Sequence, residues 1–282
     1  MPTLREQMKM NMELKGFSPK TQSAYIRSVQ QYAQFYGKSP MLLGSNEIRE
    51  YLHFMIKNRN VSRSYINVIY SALKFLYVDT LHQPWDLQAI PRSKKAKKLP
   101  IILAPSELTQ LFNVISNPKH KAIFMTMYGA GLRASEVVHL QISDIDSQMM
   151  QIRVRQAKGK KDRYTLLSNE NLRILRLYWQ VCKPQKWLFP GATPDQPMSS
   201  RSLHGILEKA KAKARITKPV TTHTFRHCFA THLLESGANL YYIQHLLGHS
   251  SPKSTNVYLH LTRKHLSQIQ SPLDRLAGMN HG

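Results

Sequence analysis

Cysteine and acidic residues are scarce in this 282-residue chain, and long apolar runs and internal repeats are missing. Two cysteines, Cys182 and Cys228, are too few for a disulfide framework or a four-cysteine zinc site, which fits a reducing compartment. No apolar run approaches the roughly 18 residues of a membrane span, the densest being IFMTMYGAGL. The amino terminus, MPTLREQMKMNMELKG, lacks the apolar segment of a secretory signal. No period of about 20–50 residues recurs, which excludes a solenoid. These absences set the expected place of work in the cytoplasm or on the nucleoid, away from membranes. The shortage of acid has its own meaning. Sixteen Asp+Glu stand against 40 Lys+Arg, a net charge of +24, which favours a polyanionic partner. Nucleic acid comes first, an anionic membrane surface second, and a merely solvated basic surface is the bland alternative.

With 42% apolar residues the chain can build two domains with cores of their own. Residues 1 to about 80 predict three or four helices in a small bundle. Ser18 and Pro19 open one with Tyr25, Val29, Tyr32 and Phe35 at helical spacing. Ser45 precedes Ile48, Tyr51, Leu52, Met55 and Ile56, and Ser62 precedes Tyr65, Ile66, Ile69, Leu73 and Leu76, again capping chemistry before an apolar stripe. These stripes read as core rather than as base-stacking platforms. Between Pro91 and Pro100 the stretch PRSKKAKKLP has no apolar periodicity and carries Arg92, Lys94, Lys95, Lys97 and Lys98. The expected organisation is a helical domain over 1–90, a basic linker over 91–100 that contacts a phosphate backbone, and a second domain over 101–282. In that domain Ser106 is the expected cap of APSELTQLFNVI, and MQIRVRQAKGKKDRYTLLS alternates, turns and returns as a basic hairpin. Helices resume near Asn169–Gln180 and Ser200–Ala214. The fold class is therefore mainly α with a small antiparallel β-sheet.

The stretch HTFRHCFATH, residues 223–232, raises the question of a metal site. On a helix at about 100° per residue, His223, Arg226, His227 and Ala230 share one face, while Phe225, Cys228, Phe229, His232 and Leu233 share the other. Cys228 and His232 thus side with the phenylalanines, as small buried cysteines commonly do. His223 and His227 have an i, i+4 spacing that can begin a zinc site, but zinc needs further ligands and Arg226 sets a cation between them. What remains on the polar face is a proton donor and a fork that fits two phosphate oxygens. Only His227 lacks a definite role, with a supporting hydrogen bond near the pocket as its expectation.

Four further segments offer matching chemistry. Arg133 follows a glycine-flexed turn in GAGLRASEV, Lys158 sits at the tip of AKGKKDR, His249 follows the helix-ending Gly248 in LLGHSS, and Tyr258 lies in SSPKSTNVYLH. The last segment predicts a helix capped by Ser251, with Pro252 at its first position and Tyr258 about two turns in. Each has a plain structural alternative: an ion pair to Glu136, a solvated hairpin, a loop histidine, a core tyrosine.

Taken in this order, GLRASEV, AKGKKDR, HTFRH, LGHSS and STNVY resemble the tyrosine site-specific recombinases, the phage integrases and Xer-type enzymes, along nearly the whole chain. The resemblance implies a core-binding domain, a basic linker and a catalytic domain. It also implies a pocket of Arg133, Lys158, His223, Arg226 and His249 with Tyr258 as nucleophile. Ala157 stands where a glycine often precedes the lysine, and Leu259 where a threonine often follows the tyrosine. Lys160 and Lys161 lie beside Lys158, so which hairpin lysine reacts stays open, and both are candidate DNA contacts.

The chemistry these residues permit is phosphoryl transfer without a cofactor or metal. Two arginines neutralise the phosphate, His223 is the candidate base for the phenol, Lys158 the acid for the departing 5′ oxygen, and His249 a hydrogen-bond donor. The product that the resemblance implies is a 3′-phosphotyrosine and a free 5′-hydroxyl. The implied partners are double-stranded DNA bearing a specific recombination site, a homotetramer on synapsed DNA, and accessory DNA-bending or partner recombinase proteins. The tail from about residue 262 is expected to dock on a neighbour or to pack on its own chain. A type IB topoisomerase and a non-catalytic DNA-binding regulator are the alternatives.

Overall fold

The computed structural model describes residues 2–85, 92, 99–155, 162–249, 251 and 254–259. The chain divides into two compact units, Met1–Lys98 and Leu99–Gly282.

The first unit is a bundle of α1 (Leu4–Leu14), α2 (Pro19–Tyr36), α3 (Ser45–Lys57) and α4 (Arg63–Lys74), the last running into a π-helical turn over Phe75–Thr80. Ser18 accepts from the Thr21 amide with Pro19 at the first helical position, and Ser62 caps α4 through the Tyr65 amide. Helix α3 differs from the sequence expectation: its cap is Gly44, and the carboxylate of Glu47 accepts from the Gly44 amide at 2.7 Å. An acid three residues in satisfies the orphan amide, so Ser45 falls inside the helix. Tyr32, Ile48, Tyr51, Ile69, Leu73 and Leu76 fill the core. Phe35 and Ile56 are instead 44% and 51% exposed, which removes them from the predicted stripes.

The second unit opens with α5 (Pro105–Asn113) and α6 (Pro118–Ala130). The α5 cap is Ala104, whose amide donates to Glu107 at 2.7 Å, so Ser106 is not the cap for the same reason as in α3. A short α7 (Ala134–Val138) leads to an antiparallel sheet of β1 (Ile145–Asp146), β2 (Gln151–Val154) and β3 (Arg163–Leu166) in the order β1-β2-β3. The predicted hairpin is β2 and β3, with Ile152 opposite Thr165 and Val154 opposite Arg163. Strand β1, two residues long, is too short for any alternation to reveal. Then come α8 (Asn169–Cys182), α9 (Ser200–Lys213), α10 (Thr222–Glu235), α11 (Leu240–Leu247) and a 3-10 turn over Asn256–Tyr258. Tyr258 therefore lies on a short turn, not two turns into the expected α-helix; Pro252 lies outside the described residues.

Helix α6 ends at Gly131, where φ is +62°. A Cβ there would sit 2.4 Å from Cδ1 of Phe229 on α10, so left-handed backbone and close helix contact both require glycine. Gly131→Ala is expected to cost about 2–3 kcal/mol, read as a lower chemical-denaturation midpoint with an unchanged slope.

Candidate active site

Helix α10 carries the HTFRHCFATH stretch, and its two faces divide broadly as the wheel predicts. Cys228 is fully buried and its sulfur accepts from the Leu103 amide at 3.2 Å. His232 is only half-buried and hydrogen-bonds the Tyr128 hydroxyl at 3.0 Å, so it lies at the edge of the core. Among the described residues no group of three or more His, Cys, Asp or Glu is placed to hold a metal ion.

The other face is exposed at His223 and closes inward through the half-buried His227 to buried Arg226 and Ala230. Arg226 is completely buried, and Nη1 donates to the Gly131 carbonyl at 2.8 Å while Nη2 donates to the Leu247 carbonyl. These carbonyls belong to the C-terminal ends of α6 and α11, where unpaired carbonyls and the negative ends of the helix dipoles gather. Burial and the nearby Arg133 charge pull Arg226 down to about 9, still protonated at neutral pH. Its Nε has no hydrogen-bond partner among the described residues.

Glu136, on α7, is the counter-charge. Arg163 Nη1 and Nη2 donate to its two oxygens at 2.9 and 2.8 Å, Arg133 Nη1 donates at 2.6 Å, and Arg226 Nη1 stands 3.8 Å away. Burial works to raise this carboxyl, but Arg163 and Arg133 hold it down at about 2. Arg163 also donates from Nε to the Leu246 carbonyl at 2.9 Å. A Cβ on Gly248, where φ is +61°, would sit 2.8 Å from Arg163 Cδ.

His249 follows that glycine, and its Nδ1 pairs with the Thr255 hydroxyl at 2.9 Å. Thr255 is fully buried, and its carbonyl accepts from the Tyr258 amide at 3.0 Å. Tyr258 is 1% exposed among Phe229, Ala230, Leu234, Ile243 and Leu247. Its hydroxyl hydrogen-bonds His227 Nδ1 at 3.1 Å. Burial raises the phenol above its ordinary value, against the pull of the Arg226 and Arg133 charges.

The three pocket histidines, His223, His227 and His249, are set low. Burial and the Arg226 and Arg133 charges lower His223; burial, His223 and Arg226 bring His227 to about 4; burial and the arginines bring His249 to about 3. An unfolded histidine protonates near pH 6.5, so below that pH the unfolded chain binds more protons and stability falls. The imidazole NMR signals of His227 and His249 are expected not to titrate between about pH 8 and pH 5 in the folded protein.

The structure thus brings together Arg133, His223, Arg226, His249 and Tyr258 in the second unit. Lys158, Lys160 and Lys161, like Lys94, Lys95, Lys97 and Lys98, lie outside the described residues. Arg92, on the first unit, donates from Nε to Asn67 at 3.3 Å and lies over the Tyr70 ring at 5.9 Å. Sequence reasoning missed Arg163 and the shared role of Glu136. A signal for Arg163 exists: it shares a strand face with Thr165, which is buried, while Tyr164 and Leu166 face out.

Comparison with known proteins agrees with this architecture. Residues 102–265 match the Phage integrase family, and residues 4–87 match the phage integrase N-terminal SAM-like domain. The protein y4qK of Sinorhizobium fredii, which carries the name integrase/recombinase, is 42% identical over 98% of this chain and 90% of its own length. Tyrosine recombinase XerC of Anoxybacillus flavithermus is 30% identical over 90% of this chain and 91% of its own. In fold, the XerH site-specific recombinase bound to a palindromic difH substrate superposes with a TM-score of 0.75 at 18% identity, over 94% of this chain and 83% of that one. No helix among the described residues is long and apolar enough to cross a membrane. With both units matched and a relative of this identity along nearly its whole length, the chain belongs to the phage integrase family of tyrosine recombinases.

Proposed function

We propose that this chain recombines DNA at a specific site, with Tyr258 attacking a phosphodiester held by Arg133 and Arg226. The observation that carries this reading is the state of Arg226. Among the described residues its Nε–H has no hydrogen-bond partner, and Glu136, 3.8 Å from Nη1, is already held by Arg133 and Arg163, so this fully buried guanidinium beside a second arginine and a phenol calls for a further anion. A phosphate supplies that anion, and the arginines neutralise the charge that grows as the phenol attacks.

His223 and His249 stand on the rim as hydrogen-bond donors to non-bridging oxygens. One of the hairpin lysines, Lys158 first, protonates the departing 5′ oxygen. The covalent 3′-phosphotyrosine conserves the bond's reactivity, so a second strand's 5′-hydroxyl can reverse the step. Exchange between duplexes requires several such sites together, which a homotetramer on two paired DNA sites provides, with accessory or partner recombinase proteins setting the order of strands. Arg92, Lys94, Lys95, Lys97, Lys98, Lys160 and Lys161 contribute phosphate contacts, and the net charge of +24 supports a DNA partner.

The test is to incubate the protein with a library of nicked duplexes in EDTA, recover the DNA that stays bound through denaturation, and map the linked peptide by mass spectrometry. The expected result is a restricted set of sequences joined to the peptide bearing Tyr258. Attachment at another residue, or no adduct from any duplex, overturns the reading. Relaxation of supercoiled DNA without site preference shows topoisomerase action instead.

A further inference from the structure

We propose that His227 receives the phenolic proton of Tyr258 when the DNA strand is cut; the proposal rests on Tyr258 being the nucleophile. The geometry singles it out. Among the described residues the Tyr258 hydroxyl has its hydrogen bond with His227 Nδ1, at 3.1 Å. The other candidates are occupied or elsewhere. Arg226 is a cation spread between two carbonyls, and His249 Nδ1 is engaged by Thr255. His223, one helical turn before His227, has no hydrogen bond with Tyr258. Its ring instead packs edge-on against that of His227, with centroids 4.6 Å apart.

The groups around His227 suit the role. Burial, with His223 and Arg226 on its own helix, keeps it neutral at pH 7, and in the tautomer that carries its proton on Nε2 the Nδ1 atom accepts from the phenol. A bound phosphodiester brings negative charge beside Arg133 and Arg226, offsets them, and makes the imidazole more basic when a base is needed. As Tyr258 Oη bonds to phosphorus, its proton passes to Nδ1 and the P–O5′ bond breaks. The departing oxygen takes a proton from the lysine acid. In rejoining, the 5′-hydroxyl attacks phosphorus and gives its proton back to the lysine amine, the P–O bond to tyrosine breaks, and imidazolium His227 returns its proton to the phenolic oxygen.

The experiment follows adduct formation on a nicked duplex carrying a 5′-bridging phosphorothiolate, whose sulfur leaves without a proton, so only the base step is read. His227→Phe is expected to be about 100-fold slower than the parent near pH 7. The deficit should narrow as pH rises toward the phenol's own ionisation. In His227→Gly, added imidazole should restore part of the rate, which a purely structural role would not allow. His227→Gln serves as a second variant where the others melt early. Rates within about threefold of the parent in a variant that binds DNA normally, or no imidazole recovery in a folded glycine variant, overturn the proposal. A parent protein that forms its adduct through Tyr258 while His227 variants are unaffected loses only this proposal. A parent with no Tyr258 adduct loses the nucleophile as well.

Discussion

Tyr258→Phe should form no covalent adduct with any nicked duplex, a loss of about 10⁴-fold or more, while the protein stays folded and bound to DNA. The separation of effects follows from where the ring sits. Phenylalanine keeps the packing against Phe229, Leu234, Ile243 and Leu247, so the apolar contacts survive. The described hydrogen bond lost is that with His227, worth about 1 kcal/mol. That change should move the melting temperature by only a few degrees, since about 1 kcal/mol shifts a domain of this size by about 2–4 °C. The phosphate contacts proposed above fall to Arg133, Arg226 and the basic segments and not to the phenol, so binding in a gel-shift assay should be preserved. Persistence of the adduct in this variant sinks the nucleophile assignment outright, and loss of both adduct and fold points to a structural tyrosine.

Replacing Glu136 should cost more stability than any other change in the pocket. Its carboxylate is 8% exposed and faces Arg163, itself 9% exposed, and the wholly buried Arg226. Glu136→Ala removes the counter-charge and leaves those cations uncompensated, an expected loss of about 3–5 kcal/mol. The pH dependence is a sharper signature. The folded carboxyl is held at about 2, against an ordinary value of 4.5, so the folded state binds fewer protons than the unfolded one in between. Its contribution is complete above about pH 4.5 and is lost as pH falls toward about 2, on the order of 3 kcal/mol in all. In urea titrations between about pH 5 and pH 2.5, Glu136→Gln should therefore lose stability less steeply than the parent. Parallel curves for the two proteins would show that the three arginines do not depend on this carboxylate.

The pocket was legible in the sequence where chemistry coincides with a local signal. Ser18 and Pro19 mark the start of α2 because cap and fixed φ act within three residues, and Cys228 declared its burial through the company of Phe225 and Phe229. Arg133, His223, Arg226, His249 and Tyr258 could be named through the order of their motifs. Other features depend on contacts that no short stretch contains. Arg163 belongs by sequence to a basic hairpin, yet its guanidinium closes on Glu136, 27 residues earlier. His227 met its partner 31 residues later. The caps of α3 and α5 went to Gly44 and Ala104 because an acid at the third helical position outcompeted the adjacent serines. For the tyrosine segment, Ser251 and Pro252 promised a regular helix, whereas Tyr258 is set by Thr255 and the apolar pocket it fills.

Arg226 is held by main-chain oxygens of Gly131 and Leu247, and this determines which mutations a lineage can accept. No substitution of a neighbouring side chain removes either acceptor, so the hydrogen bonds that aim the guanidinium survive changes around it so long as the two helix ends stay put, whereas its charge still depends on Glu136. The vulnerability moves to the glycines that shape those ends, Gly131 and Gly248, whose backbones are left-handed and whose missing Cβ atoms leave room for Phe229 and Arg163. In a saturation-mutagenesis map these two chemically inert positions should be as intolerant as the reacting residues.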